Sequence, residues 1–288
     1  MPKISETRLC DVLKTYPLPR LEQLTLAAYA LNVPRSWLLA HDLDPLSTQQ
    51  IKLLTTTLIR RIAGEPVAYI IGQREFYGLS FSVSLAVLIP RPETELLVDW
   101  LIMHVPQKGI VLDLGTGSGA IAISFLYHRP DCTVIACDIS QSALAIAAHN
   151  NAIHTDSKVN LMLSDWCNAL PVHQYTHYFD AIVSNPPYIA INDTHLKQGD
   201  LLYEPTNALT DYSDGLSHYR TITVQALPLL KATGCLLLEH GWQQASAISD
   251  LLHDTGYQRI KQGFDAGIYG QLGHERMLIA YKNLEKAA

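Results

Sequence analysis

Ile110-Val111-Leu112-Asp113-Leu114-Gly115-Thr116-Gly117-Ser118-Gly119 is a short apolar run that ends in a glycine turn, and the helical stretch Ala120–Tyr127 follows it. A buried strand, a glycine turn and a helix in that order open a nucleotide-binding α/β unit. The glycines let a ligand approach the backbone, and the helix presents free N–H groups at its start. The next apolar run, Val134–Asp138, ends nineteen residues after Gly119 in a carboxylate that can accept hydrogen bonds from both ribose hydroxyls of a nucleoside. The dinucleotide fingerprint G-x-G-x-x-G requires a third glycine where this chain has Ala120; the spacing here is G-x-G-x-G. Asp113 adds a negative charge close to the turn. Together these favour a nucleoside that carries an ammonium group and no phosphate, such as S-adenosylmethionine. After the third run, Val159–Leu163, comes Ser164-Asp165-Trp166. Trp166 could cover an adenine ring or be a core residue, and Asp165 could take the exocyclic amino group.

Outward from this unit, strands and helices alternate. Helix Gln141–Asn151 and strand Phe179–Ser184 are followed by helix Tyr219–Lys231 and strand Cys235–Glu239. Helix Gln243–Asp254 and strands Gln258–Lys261 and Met277–Tyr281 complete the series. Such alternation predicts a mostly parallel sheet covered on both faces. Residues 1–75 are expected to form an all-helical domain, with short helices around Leu9–Tyr16, Leu21–Leu31 and Arg35–Ala40. Ser47-Thr48-Gln49-Gln50 fits a capping box, opening a helix with Ile51, Leu54, Leu58, Ile59 and Ile62 on its apolar face; Gly64 and Pro66 end it. Residues 76–90 are expected to be a β-hairpin linker, and residues 91–288 the catalytic domain.

The run Asp180-Ala181-Ile182-Val183-Ser184 leads into Asn185-Pro186-Pro187-Tyr188. Two prolines fix φ and remove two N–H donors. The acceptors that remain, the Asn185 side-chain oxygen and the Pro186 carbonyl, can take both hydrogens of a planar NH2 group, while Tyr188 stacks on its flat face. Beside a methyl donor, this turn would hold an amino or amide nitrogen for attack. Asn185, Pro186 and Tyr188 are therefore the catalytic candidates, with Asn185 to Tyr188 as the substrate-binding set.

Composition narrows the substrate. The 288 residues are 48% hydrophobic and 17% charged, with a net charge of −6. Residues 1–75 hold nine Lys/Arg and seven Asp/Glu, and the remainder holds twelve and twenty. An acidic catalytic body is a poor partner for duplex DNA and suits a protein substrate. No run is long enough to span a membrane, and no signal-peptide pattern follows Met1-Pro2-Lys3, so a cytoplasmic protein is expected. The five scattered cysteines show no C-x-x-C, and His173 and His177 lack a third ligand, so neither a disulfide framework nor a metal site is expected.

The glycine turn, Asp138 and Asn185-Pro186-Pro187-Tyr188 occur in the order used by class I S-adenosylmethionine-dependent methyltransferases. Further segments resemble the HemK-type protein-(glutamine-N5) methyltransferases, closest to members that act on peptide chain release factors. They are Gly64–Gly72, Arg74–Tyr77, Leu88-Ile89-Pro90-Arg91-Pro92-Glu93-Thr94-Glu95, Tyr203-Glu204-Pro205 and Leu238-Glu239-His240-Gly241. The resemblance implies a Rossmann-like, mostly parallel seven-stranded sheet and methylation of the glutamine in the Gly-Gly-Gln loop of class 1 release factors. It implies cofactor contacts from Gly115, Thr116, Gly117, Ser118, Gly119, Asp138, Trp166 and Asn185. Arg91 and Glu93 then lie beside the cofactor's amino-acid end or the substrate backbone, or form a structural ion pair. Phe264–His274 looks longer than the family's loop and receives no role. A ribosomal-protein glutamine methyltransferase and an N6-adenine nucleic-acid methyltransferase share the chemistry; a nicotinamide-dependent dehydrogenase or a nucleotide-binding module would share only the glycine turn.

Overall fold

A computed structural model describes residues 7–264 and 273–283. The opening hexapeptide, and residues 265–272 of the Phe264–His274 segment, lie outside the described residues. The chain divides into two compact units, residues 1–73 and 74–288.

The first unit is helical: α1 (Leu9–Lys14), α2 (Arg20–Leu31), α3 (Arg35–Ala40), α4 (Thr48–Ile62) and α5 (Val67–Ile71). Leu9, Leu13, Leu26, Leu38, Leu54 and Leu58 form its own core. The capping box at the start of α4 is complete. The Gln50 backbone N–H donates to Ser47 Oγ at 3.2 Å, and the Ser47 N–H donates to Gln50 Oε1 at 2.9 Å. The apolar face of α4 is narrower than its pattern predicts, because Ile59 and Ile62 are 53% and 48% exposed. Ile59 lies about 100° off the Leu54–Leu58 stripe, and Ile62 is the helix's last residue.

A hairpin, β1 (Gln73–Phe76) and β2 (Leu79–Ser82), begins at the boundary, three residues ahead of the 76–90 span expected for it, and is turned by Tyr77 and Gly78, both with positive φ. Then follow α6 (Glu95–His104), β3 (Ile110–Leu114), α7 (Ala120–His128), β4 (Thr133–Asp138), α8 (Gln141–Thr155), β5 (Asn160–Leu163), α9 (Val172–Tyr175) and β6 (Phe179–Ser184). The chain continues through α10 (Ser217–Ala226), β7 (Leu230–Glu239), α11 (Ala245–Thr255), β8 (Arg259–Phe264) and β9 (Glu275–Tyr281). Seven strands form one sheet in the order β5-β4-β3-β6-β7-β9-β8; β9 alone runs against the others. Apolar side chains alternate between its faces. Val111, Val134, Val183 and Leu237 pack under α6 and α7. Leu112, Ile135, Ile182 and Leu236 pack under α10 and α11.

The helix expected over Tyr219–Lys231 ends at Ala226, because Pro228 follows and cannot donate the next helical hydrogen bond. Lys231 instead lies in β7, where its Nζ pairs with Asp180 Oδ2 at 2.7 Å. The order reverses between β3 and β6, which leave their shared boundary for opposite sides of the sheet. In such sheets ligands bind outside the carboxyl ends of the strands at this crevice.

Candidate active site

The glycine turn is shaped by the strand beside it. The N–H groups of Gly115 and Thr116 both donate to the Cys137 carbonyl at 2.9 Å, tying the end of β3 to that of β4. Asp138 holds the turn from the other side. Its Oδ2 accepts the Gly117 N–H at 2.8 Å, and its Oδ1 accepts the Ser140 N–H at 2.9 Å. A carboxylate has room for about four hydrogen bonds, so both oxygens retain acceptor capacity.

A cleft with about 780 Å³ of empty space lies over these groups. Gly115, Gly117, Asp138, Trp166, Asn185 and Pro187 line it. Thr116, Ser118 and Gly119, expected against the cofactor, do not line it; they build the turn instead. Thr116 Oγ1 donates to Asp113 Oδ2 at 2.6 Å, and the Ser118 carbonyl accepts Asn150 Nδ2 at 2.9 Å. Gly119 has φ +85°, the left-handed region that favours glycine, and a Cβ there would lie 2.5 Å from Ile123 Cδ1 one turn on in α7. Asp113 is fully buried beneath the turn. Desolvation pushes its carboxyl up to about 7, against the pull of the Thr116 hydroxyl.

Trp166, itself at positive φ, packs its ring over Gly115, with the His218 ring 5.0 Å away. Asp165 lines the same cleft, as do Ala86, Val87, Ile139, Asn207 and His218. Those five were not singled out in the sequence. Ala86, Val87, Asn207 and His218 come from segments distant from both motifs and carry no pattern of their own, whereas Ile139 directly follows Asp138.

A second, smaller cleft adjoins the first. Arg91, Pro186, Tyr188, Ile189, Leu201 and Leu209 line it, and Leu88, Asn185, Pro187 and Ala208 line both. Its walls are anchored separately. Ser184 Oγ donates to the Leu114 carbonyl at 2.7 Å, fixing the end of β6 beside β3. The Tyr188 carbonyl accepts Gln244 Nε2 at 2.9 Å, and the Ile189 N–H donates to the Leu209 carbonyl at 3.0 Å. Burial raises the Tyr188 phenol far above its ordinary value, so it stays neutral. Arg91 forms an ion pair with Glu204 from the Tyr203-Glu204-Pro205 segment. Asn185 Nδ2 donates to Thr94 Oγ1 at 3.1 Å.

Among the described residues, no group of three or more His, Cys, Asp or Glu could hold a metal ion, and no helix is long and apolar enough to cross a membrane. The five cysteines are free thiols. His177 is engaged with the Leu230 carbonyl at 3.2 Å.

Residues 7–72 match the family described as PrmC N-terminal domain, and residues 92–211 match Methyltransferase small domain. The chain is 45% identical over 267 residues to the release factor glutamine methyltransferase of Bordetella pertussis, across 91% of this chain and 97% of that protein. It is 42% identical over 275 residues to the release factor glutamine methyltransferase of Coxiella burnetii, across 95% and 94%. Among solved structures, a methyltransferase from Pyrococcus furiosus aligns with a TM-score of 0.53 at 18% identity, over 80% of this chain and 100% of that one. The hMettl16 catalytic domain aligns with a TM-score of 0.56 at 16% identity, over 83% of each. These two are likenesses of fold alone. The fold is that of a class I methyltransferase, an enzyme class that uses S-adenosylmethionine, and the chain belongs to the release factor glutamine methyltransferase family.

Proposed function

We propose that this chain methylates the side-chain amide nitrogen of the glutamine in the Gly-Gly-Gln loop of class 1 peptide chain release factors, with S-adenosylmethionine as donor. The observation that carries this reading is the meeting of two clefts at Asn185 and Pro187. One is walled by the glycine turn and Asp138, the other by Pro186 and Tyr188. A donor in the first and an amide in the second would face each other across the Asn185-Pro186-Pro187-Tyr188 turn.

The residues present fit the donor. Asp138 is oriented by two backbone N–H groups and keeps acceptor capacity for ribose hydroxyls. Gly115 and Gly117 give the ligand close access to the backbone, and Trp166 offers an aromatic wall. When bound, the cofactor supplies a methyl group on a positively charged sulfur.

An amide nitrogen is a weak nucleophile, because its lone pair is delocalised into the carbonyl. Asn185 Oδ1 and the Pro186 carbonyl would accept the two N–H bonds, aim the nitrogen and stabilise the positive charge that grows on it. Tyr188 packs against the amide plane and excludes water. The N-alkylated product cation is strongly acidic, so its proton leaves without a dedicated base.

The helical unit, which has its own core, is the proposed grip on the intact release factor, and the substrate places the enzyme in the cytoplasm. The test is transfer of label from S-adenosylmethionine to a release factor. A control factor has its loop glutamine changed to alanine, and ribosomal proteins and an adenine oligonucleotide serve as rival acceptors. Label on the rivals, or on the alanine control, would refute the assignment. Removing the helical unit should abolish labelling of the intact factor while cofactor binding survives.

A further inference from the structure

We propose that Glu239 is a positioning residue that sets which way the Asn185 amide faces. The inference rests on the role proposed for Asn185 and adds the device that makes it an acceptor. In the parallel β6–β7 pair, Ser184 is opposite Leu238, so the next residues, Asn185 and Glu239, leave adjacent strand ends side by side. Glu239 is 3% exposed. Thr94 lies against both: Asn185 Nδ2 donates to Thr94 Oγ1 at 3.1 Å, and the Glu239 carboxylate lies beside the Thr94 and Asn185 side chains with its buried Oε2 still without a hydrogen-bond partner. Thr94 belongs to the Pro-Glu-Thr-Glu segment at the start of α6, 91 positions from Asn185.

Polarity follows from the chemistry of the three groups. An ionised carboxylate only accepts, a hydroxyl donates once and accepts, and an amide has one donating and one accepting end of nearly the same shape. With the Thr94 hydroxyl donating to the Glu239 carboxylate, the Thr94 oxygen is left to accept from Asn185 Nδ2. Nδ2 is thereby held inward and Oδ1 is left for the cleft. The reversed amide would present its NH2 to the NH2 of the substrate, donor against donor. The Pro186 carbonyl cannot turn over in this way, so Asn185 is the acceptor that needs setting.

The groups facing Glu239 are Glu93, Arg276, Tyr188 and Tyr219. Burial pushes the carboxyl up to about 7, with Glu93 adding to the rise and Arg276 opposing it. A protonated Glu239 can donate as well as accept, and the amide is then no longer held one way. Turnover should therefore fall as pH drops through that region.

The experiment compares wild type with Glu239→Gln, Thr94→Val, Asn185→Ala and Glu239→Gln/Asn185→Ala. It measures kcat and its pH profile with a release factor, and cofactor Kd and thermal melting on the same preparations. Glu239→Gln should lower kcat by roughly 10- to 100-fold, approaching the loss of an oxyanion donor. It should leave cofactor Kd unchanged, lose the acid limb of the profile and add no further loss to Asn185→Ala. Thr94→Val, which retains the carboxylate, should shift kcat the same way, and it decides alone if Glu239→Gln does not fold. Wild-type kcat in either variant, with Asn185→Ala impaired, overturns the Glu239 assignment only. So does a loss that multiplies with Asn185→Ala or that carries cofactor binding with it. Wild-type turnover in Asn185→Ala overturns both readings.

Discussion

Arg91 is paired with Glu204 across 113 residues of chain, and the same carboxylate accepts the Ile89 N–H at 3.1 Å. The Glu204 side chain is fully buried and that of Arg91 is 30% exposed. The sequence left open an ion pair of Arg91 and Glu93 or a contact at the site; Arg91 pairs with Glu204 instead of Glu93, and it lines the second cleft. Arg91→Ala would leave a buried carboxylate unpaired. It should cost about 2 kcal/mol in urea unfolding, between the usual values for surface and buried pairs. Glu204→Gln should cost less, because no buried charge is stranded. Equal unfolding midpoints for Arg91→Ala and wild type would contradict the ranking.

Asn185→Ala removes one of the two acceptors proposed for the substrate NH2 and leaves Asp138 and the glycine turn intact. Single-turnover rates should fall by roughly 10²-fold, as for loss of one preorganised group at a developing charge. Cofactor affinity, measured by calorimetry, should change by no more than a few-fold. A large loss of cofactor binding with a normal rate would reverse the assignment.

Asp138→Asn keeps the shape and removes the charge. An amide has one accepting oxygen, so it can serve either the Gly117 N–H or the Ser140 N–H, but not both together with two ribose hydroxyls. Cofactor Kd should rise by about 10- to 100-fold, the weight of one charge-assisted hydrogen bond. An unchanged Kd would remove Asp138 from the binding site.

Asp113 and Glu239 link stability to pH. Burial raises them from ordinary values of 3.8 and 4.5 to about 7 each. The unfolded chain releases these protons first, so the stabilisation is complete below about pH 4 and is lost as pH rises towards 7. Each could shift unfolding free energy by a few kcal/mol, on the order of 1.4 per pKa unit. Asp113→Asn should flatten the decline in urea midpoint between pH 4.5 and 7.5, taken as about the limits of that window. Parallel curves for the variant and wild type would show that Asp113 does not titrate there.

Gly119→Ala tests the turn without touching a contact in the cleft. The added Cβ meets Ile123 Cδ1 at 2.5 Å in a left-handed conformation that alanine avoids. The left-handed strain should cost roughly 1–2 kcal/mol, read as a lower unfolding midpoint.

The strand–turn–helix at Ile110–Ala120, the alternation that follows and the capping box at Ser47 were legible because each rests on neighbours within a few residues. Local sterics and hydrogen bonding decide them. The glycine turn, Asp138 and the Asn185–Tyr188 turn were legible for the same reason: their chemistry lies in consecutive residues or at the tip of a strand. Boundaries shifted where a single breaker acted, as at Pro228, or where a face was narrower than its pattern, as at Ile59.

Pairings across long stretches of chain were decided by tertiary structure. Thr94 with Asn185, Arg91 with Glu204, and Glu239 beside both Thr94 and Asn185 depend on which strand ends the sheet order makes adjacent, and hydrophobic periodicity carries no such information. So too did the division of labour within Gly115–Gly119. The amino-acid order specifies a flexible, close-approach turn; only the packing against Ile123, Asn150 and Cys137 determines which of its residues face the cleft.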